Sequence, residues 1–173
     1  VALMRLLLTI AMPATGSAFW YGALAVISVV TMTWGNLAAL SSDNPKRVLA
    51  YSSVAHAGYM LAAVSAIGSG LADGPASEMI VVAVLFHLCV LVLFKMGPFM
   101  VLSAIEREGG SHRVAGLNGL ASRDPMLAAS MFVFMLSLAG VPPFSGFLSK
   151  LLMLNGIAVS YTHLRAHETD SHL

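Results

Sequence analysis

Residues 131–154 read MFVFMLSLAGVPPFSGFLSKLLML. A run this apolar suits lipid or a protein core, yet GVPPFSGF cuts it after Gly140. Pro142 and Pro143 carry no backbone N–H, so they free the carbonyls of Leu138 and Ala139 from helical bonding. Met126 to Ala139 and Ser145 to Ile157 are therefore expected to be two halves of one broken helix. Inside a membrane, such a break survives only where protein buries it or a wet cavity adjoins it. The stretch thus predicts one member of a helix bundle.

The rest of the chain agrees. Of its 173 residues, 58% are hydrophobic and only 10% charged, against about 25% charged in a soluble domain. Mean hydropathy is +0.84. Phe19 to Leu40, Val48 to Gly68 and Ile80 to Ile105 are each long enough to span, given that about 20 apolar residues cross a bilayer. The fold class is all-α, a polytopic transmembrane bundle with a Pro-broken helix. A net charge of +1 gives no field for nucleic acid, and the single cysteine, Cys89, rules out an intrachain disulfide framework. No signal peptide opens the chain; residues 1–16 read as the tail of a helix, so a piece of a larger membrane protein is expected.

Orientation follows from Lys/Arg in short loops. The 41–47 loop, SSDNPKR, holds Lys46 and Arg47, and the 106–124 loop holds Arg107, Arg113 and Arg123. The alternating loops at 11–18 and 69–79 hold none. Loops 41–47 and 106–124 are thus expected on the cytoplasmic side, or its organellar equivalent.

Against this background Lys95, in FHLCVLVLFKMGPF (86–99), is anomalous. It lies about 22 Å along the helix from Ile80, with about 15 Å remaining to Ile105. That is near mid-bilayer, where a lysine costs about 2.5–3.5 kcal/mol on translocon scales, and it should face the protein interior or water. Pro98 frees the Phe94 carbonyl as a nearby acceptor. His87, eight residues earlier, is about 12 Å away and too far for a direct bond, though waters would bridge it. A structural lysine paired with a carboxylate is the competing reading, and His56 alone reads as an interhelical hydrogen-bonder. The recurrence of His56, Lys95 and Lys150 at depth, with Lys150 just past the break, favours ion handling. Proton relays use such chains of titratable groups, and broken helices commonly house ion sites.

DNPKRVLAYSSVAHAGYMLAA (43–63) and MLSLAGVPPFSGFLSKLLML (135–154) together resemble the antiporter-like membrane subunits of respiratory complex I (NADH-quinone oxidoreductase), closest to subunit N. WGNLAAL (34–40) and GLASRDPMLAASMF (119–132) fit the same pattern, and the likeness covers about residues 1–157. It implies a fragment covering about helices 8–12 of a fourteen-helix fold, in a bacterial inner membrane. It implies proton translocation along a mid-membrane Lys/His/water relay, driven by quinone reduction elsewhere in the complex. On that template Lys150 matches the lysine of the broken helix 12 and His56 a histidine of helix 10. Lys95 departs from subunit N, and His87 with Lys95 looks like the sister subunits, where a His and a Lys eight apart lie on the proton path. The inlet acid and lysine of the family's helices 5 and 7 are absent here, and Arg5 does not match the helix 8 lysine.

The implied relay is Lys150, Lys95, His56 and His87. No CxxC cluster, dinucleotide-binding glycine pattern or haem signature occurs, so no cofactor or metal is expected in this chain. The resemblance places NAD, FMN, iron–sulfur and quinone sites in other subunits. Partners would be other membrane subunits and lipid, with no nucleic acid and quinone only indirectly. A sodium/proton antiporter or membrane-bound hydrogenase subunit, and an inactive structural fragment, are the alternatives. The antiporter-like domain is expected over 1–159. Polarity rises abruptly after Ser160; residues 160–173 resemble a translated adaptor-like end, and His163, His167 and His172 within it are set aside as a zinc site.

Overall fold

A computed structural model of the chain describes residues 17–67, 75–110 and 113–170. Residues 1–16, where the tail of a preceding helix was expected, lie outside the described residues, as do parts of the 69–79 and 106–124 loops and residues 171–173. The helices are α1 (Ser17–Leu40), α2 (Pro45–Ala66), α3 (Pro75–Arg107), the short α4 (Leu120–Arg123), α5 (Pro125–Ala139) and α6 (Ser145–Asp170), with a 3₁₀ turn at Val114–Leu117. Among the described residues there is no strand. By length and composition Phe19–Leu40, Pro45–Ala66 and Ser77–Arg107 can each cross a membrane, and Pro125–Ala139 is a shorter apolar helix. The expected spans and the break are all present. The helix after the break runs through Asp170, across the boundary expected at 160.

Short polar signals start these helices. Asn44 accepts from the backbone N–H groups of Lys46 (2.9 Å) and Arg47 (3.4 Å), with Pro45 at the first helical position. Asp124 does the same for Met126 and Leu127, both at 3.1 Å, ahead of Pro125. Each cap satisfies backbone donors that the first turn leaves orphaned, and proline, which has no N–H, loses nothing at a position where that group would have no helical partner.

α1 lies along α2, and glycines set the spacing. A Cβ on Gly35 would meet the Ala55 backbone nitrogen at 2.7 Å; one on Gly58 would meet the Met32 nitrogen at 2.9 Å and the Ser28 carbonyl at 3.1 Å. Small residues are what allow membrane helices to approach this closely. A core of Ala63, Val64, Ile67, Ile80, Ala83 and Met153 joins α2, α3 and α6. The outer face of α1 is apolar and open, with Phe19, Val26, Val30 and Trp34 exposed. That is a surface for lipid or further helices.

The two basic loops meet at one end of the bundle. Lys46 pairs with Glu106, Asp43 pairs with Arg113 at 3.0 Å, and the Val114 N–H donates to the Asp43 carbonyl at 2.9 Å.

Candidate functional site

At the break, α5 ends on Gly140 in the left-handed conformation, φ 83°. The Gly140 N–H reaches the Leu136 and Ser137 carbonyls, and the Val141 N–H reaches Leu136 at 3.2 Å. This is a Schellman closure, which glycine makes without a Cβ penalty. It leaves the Leu138 and Ala139 carbonyls without helical partners. Lys150, returning on α6, takes both: its Nζ donates to Leu138 at 3.1 Å and to Ala139 at 2.9 Å. The two carbonyls expected to be free are therefore the seat of the lysine, at the negative end of the α5 dipole.

Lys95 is buried, 8% exposed. Its ammonium donates to the Leu49 carbonyl at 2.7 Å and to the Ser53 hydroxyl, both on α2. The expected neighbour, the Phe94 carbonyl freed by Pro98, is not its partner. In a helix side chains lean toward the N-terminus while carbonyls point toward the C-terminus, so the ammonium swings away from that oxygen and across to α2. α3 itself continues through Pro98 without a break.

The histidines meet directly. His56 on α2 and His87 on α3 are buried, with His56 Nδ1 at 3.1 Å from His87 Nε2. The second nitrogen of His87 lies 2.9 Å from the Ser149 hydroxyl on α6, which donates to the Gly146 carbonyl at 3.0 Å. Ser53 and His56, three residues apart, share one face of α2. So in the gap between Lys95 and His87, for which waters were expected, α2 places Ser53 against Lys95 and His56 against His87. Lys95, Ser53, His56, His87, Ser149 and Lys150 are then arranged along one polar line through three helices, hydrogen-bonded from Lys95 to Ser53 and from His56 through His87 to Ser149, and all four residues predicted from sequence lie on it. Among the described residues neither lysine is paired with a carboxylate.

Ser53 and Ser149 were missed as members of the line. Ser53 had a signal in its spacing from His56; Ser149, whose partner is 62 residues away, had only adjacency to Lys150.

Each lysine also borders a cavity. A groove of about 780 Å³ runs from Lys95 and Ser53 past Phe99 and Ser103 to Arg107, toward the end where the basic loops meet. A smaller space of about 340 Å³ runs from Lys150 past Tyr59 and Met153 to Ile157, away from that end. The two lysines open on opposite halves of the bundle.

Residues 1–166 match the family described as NADH:quinone oxidoreductase/Mrp antiporter, TM. The chain belongs to this family. It is similar to NADH-quinone oxidoreductase subunit N of Heliobacterium modesticaldum, 43% identical over 146 residues that are 84% of this chain and 29% of that protein. It is likewise similar to subunit N of Rubrobacter xylanophilus, 40% identical over 175 residues, 98% of this chain and 34% of that one. Among solved structures it is similar to a chain of respiratory complex I from Thermus thermophilus with bound aureothin. There the TM-score is 0.57 and the identity 37%, over 83% of this chain and 34% of the other. The chain thus spans about a third of the length of these relatives. The resemblance to the antiporter-like subunits, and to subunit N among them, holds, and this member of the antiporter family is an integral membrane helix bundle.

Proposed function

We propose that the chain is part of a proton-translocating membrane subunit of NADH:quinone oxidoreductase, in which Lys95, His56, His87 and Lys150 hand protons across mid-membrane. The observation that carries this reading is the polar line itself. Lys95, which is buried, and Lys150, which is half-buried, each sit on oxygens of a neighbouring helix, and the buried histidines on α2 and α3 meet nitrogen to nitrogen at 3.1 Å. A lysine held by neutral acceptors can lose its proton without stranding a buried carboxylate, whereas one locked in an ion pair cannot. Histidine, with a donor and an acceptor nitrogen on one ring, passes a proton by taking one on one side and releasing one on the other.

The cavities supply the ends. Protons enter or leave at Lys95 from the end carrying Lys46, Arg107 and Arg113, taken as cytoplasmic in a bacterial inner membrane, and at Lys150 from the opposite side. Quinone reduction in other subunits supplies the energy; NAD, FMN, iron–sulfur and quinone sites lie in those subunits, and this chain does no redox chemistry. Its partners are the neighbouring membrane subunits and the lipid.

The experiment is substitution in the intact parent subunit. Lys95→Met and Lys150→Met should each leave the complex assembled and lower the protons moved per electron. Unchanged stoichiometry and turnover in both variants would reduce the line to architecture. Sodium in place of protons as the carried ion would appear as sodium-dependent flux in vesicles at fixed pH.

A further inference from the structure

The serine beside Lys150 has a role that neither its burial nor its helix requires. Ser149 is wholly buried, and its Oγ lies 3.0 Å from the Gly146 carbonyl, which can only accept, so a bond there uses the single hydroxyl hydrogen. Oγ also lies 2.9 Å from His87 Nδ1. When that hydrogen points at Gly146, the hydroxyl can only accept from the His87 nitrogen, and Nδ1 carries the ring hydrogen. In a neutral ring the other nitrogen, Nε2, is then a bare lone pair, and it faces His56 Nδ1 at 3.1 Å. That contact is a hydrogen bond only if His56 Nδ1 is the donor.

The opposite assignment is worse. If His87 carried its hydrogen on Nε2, its Nδ1 would need the serine proton, and the bond to Gly146 would be lost. Three hydrogen bonds would become two, a loss of about one net hydrogen bond.

We propose that Ser149 is a positioning residue that holds His87 in the Nδ1–H tautomer and so aims its free Nε2 lone pair at His56. One hydroxyl thereby sets the tautomers of two histidines in series. The consequence for transfer rests on the relay reading above. A proton arriving at His56 Nε2 is matched by passage of the His56 Nδ1 hydrogen to His87 Nε2. His56 is left neutral, and His87 becomes an imidazolium still donating to Ser149. With the tautomer reversed, His87 Nε2 already bears a hydrogen and cannot receive one.

The test uses the intact parent subunit in the assembled complex, with ¹⁵N-labelled histidine and His87 assigned by its absence in His87→Gln. The expected wild-type signature is a protonated Nδ1 and an unprotonated Nε2. Ser149→Ala should introduce the Nε2–H form, and Ser149→Thr, which keeps a hydroxyl, should restore the wild-type pattern. A wild-type His87 already in the Nε2–H form would overturn the assignment without any variant. So would a Ser149→Ala spectrum identical to wild type. Proton translocation is measured in parallel: Ser149→Ala should slow it about tenfold, the equivalent of one hydrogen bond, and Ser149→Thr should recover it. Tautomers that shift as expected while translocation stays at the wild-type rate would leave the positioning role standing and count against the relay.

Discussion

Lys95 and Lys150 each reach oxygen atoms on another helix, Leu49 and Ser53 in one case, Leu138 and Ala139 in the other. Between them the His56–His87 contact is the link most easily broken by one substitution. His56→Ala and His87→Ala should each slow proton translocation, and the double variant should be scarcely slower than either single one. Two groups in series fail together, so their effects are not additive. Rates that multiply in the double variant would show the histidines acting independently. The four ionisable residues were legible in sequence because a charge or imidazole in a long apolar run has few bland explanations. The serines were not. Ser28, Thr31 and Ser65 all spend their hydroxyls on the carbonyl three or four residues back, with no part in the line. Ser149 does the same, and only the fold shows that its oxygen also meets His87.

The break between α5 and α6 is the element that places Lys150. Its existence was readable from Pro142 and Pro143, and so were the two carbonyls it frees. Its form was not: the helix closes on Gly140, two residues before the first proline. Gly140→Ala should cost about 1–2 kcal/mol, the penalty of a left-handed alanine. It should also disturb the lysine, since the added Cβ would lie 3.1 Å from Lys150 Nζ. Thermal unfolding of the parent subunit in detergent would read the first effect and proton translocation the second; a variant matching wild type in both would show that the closure does not hold the lysine. The α1–α2 contact makes a contrasting case. Gly58→Ala would push a Cβ against the Met32 backbone. It should cost about 1–3 kcal/mol of packing while leaving the transfer rate of the folded protein near wild type. Pro98 shows why proline alone is a weak signal: α3 runs straight through it, and Lys95 finds its acceptors on α2 because of helix packing that no local pattern encodes.

At the scale of the whole molecule, the charged loops give the bundle a polarity. Lys46–Glu106 and Asp43–Arg113 join the 41–47 loop to the start of the 106–124 loop, so the two share one side. A cysteine introduced at Ser42 or Glu108 in the parent subunit should react with an impermeant thiol reagent added from the cytoplasm. One introduced at Ala72 should react only from the opposite side, and the reverse pattern would exchange the ends assigned to the two cavities. The chain spans about a third of its relatives, and the open apolar face of α1 fits a bundle that continues beyond it. In the proposed relay Lys95 and Lys150 act by releasing a proton and not merely by bearing charge. Arginine separates these roles, because it keeps the charge and the donors but does not deprotonate in proteins. The decisive measurement is proton translocation per electron by the assembled complex carrying Lys150→Arg or Lys95→Arg. Both variants should assemble and transfer electrons with a lowered proton yield. A wild-type yield from both arginine variants would show that neither lysine has to deprotonate.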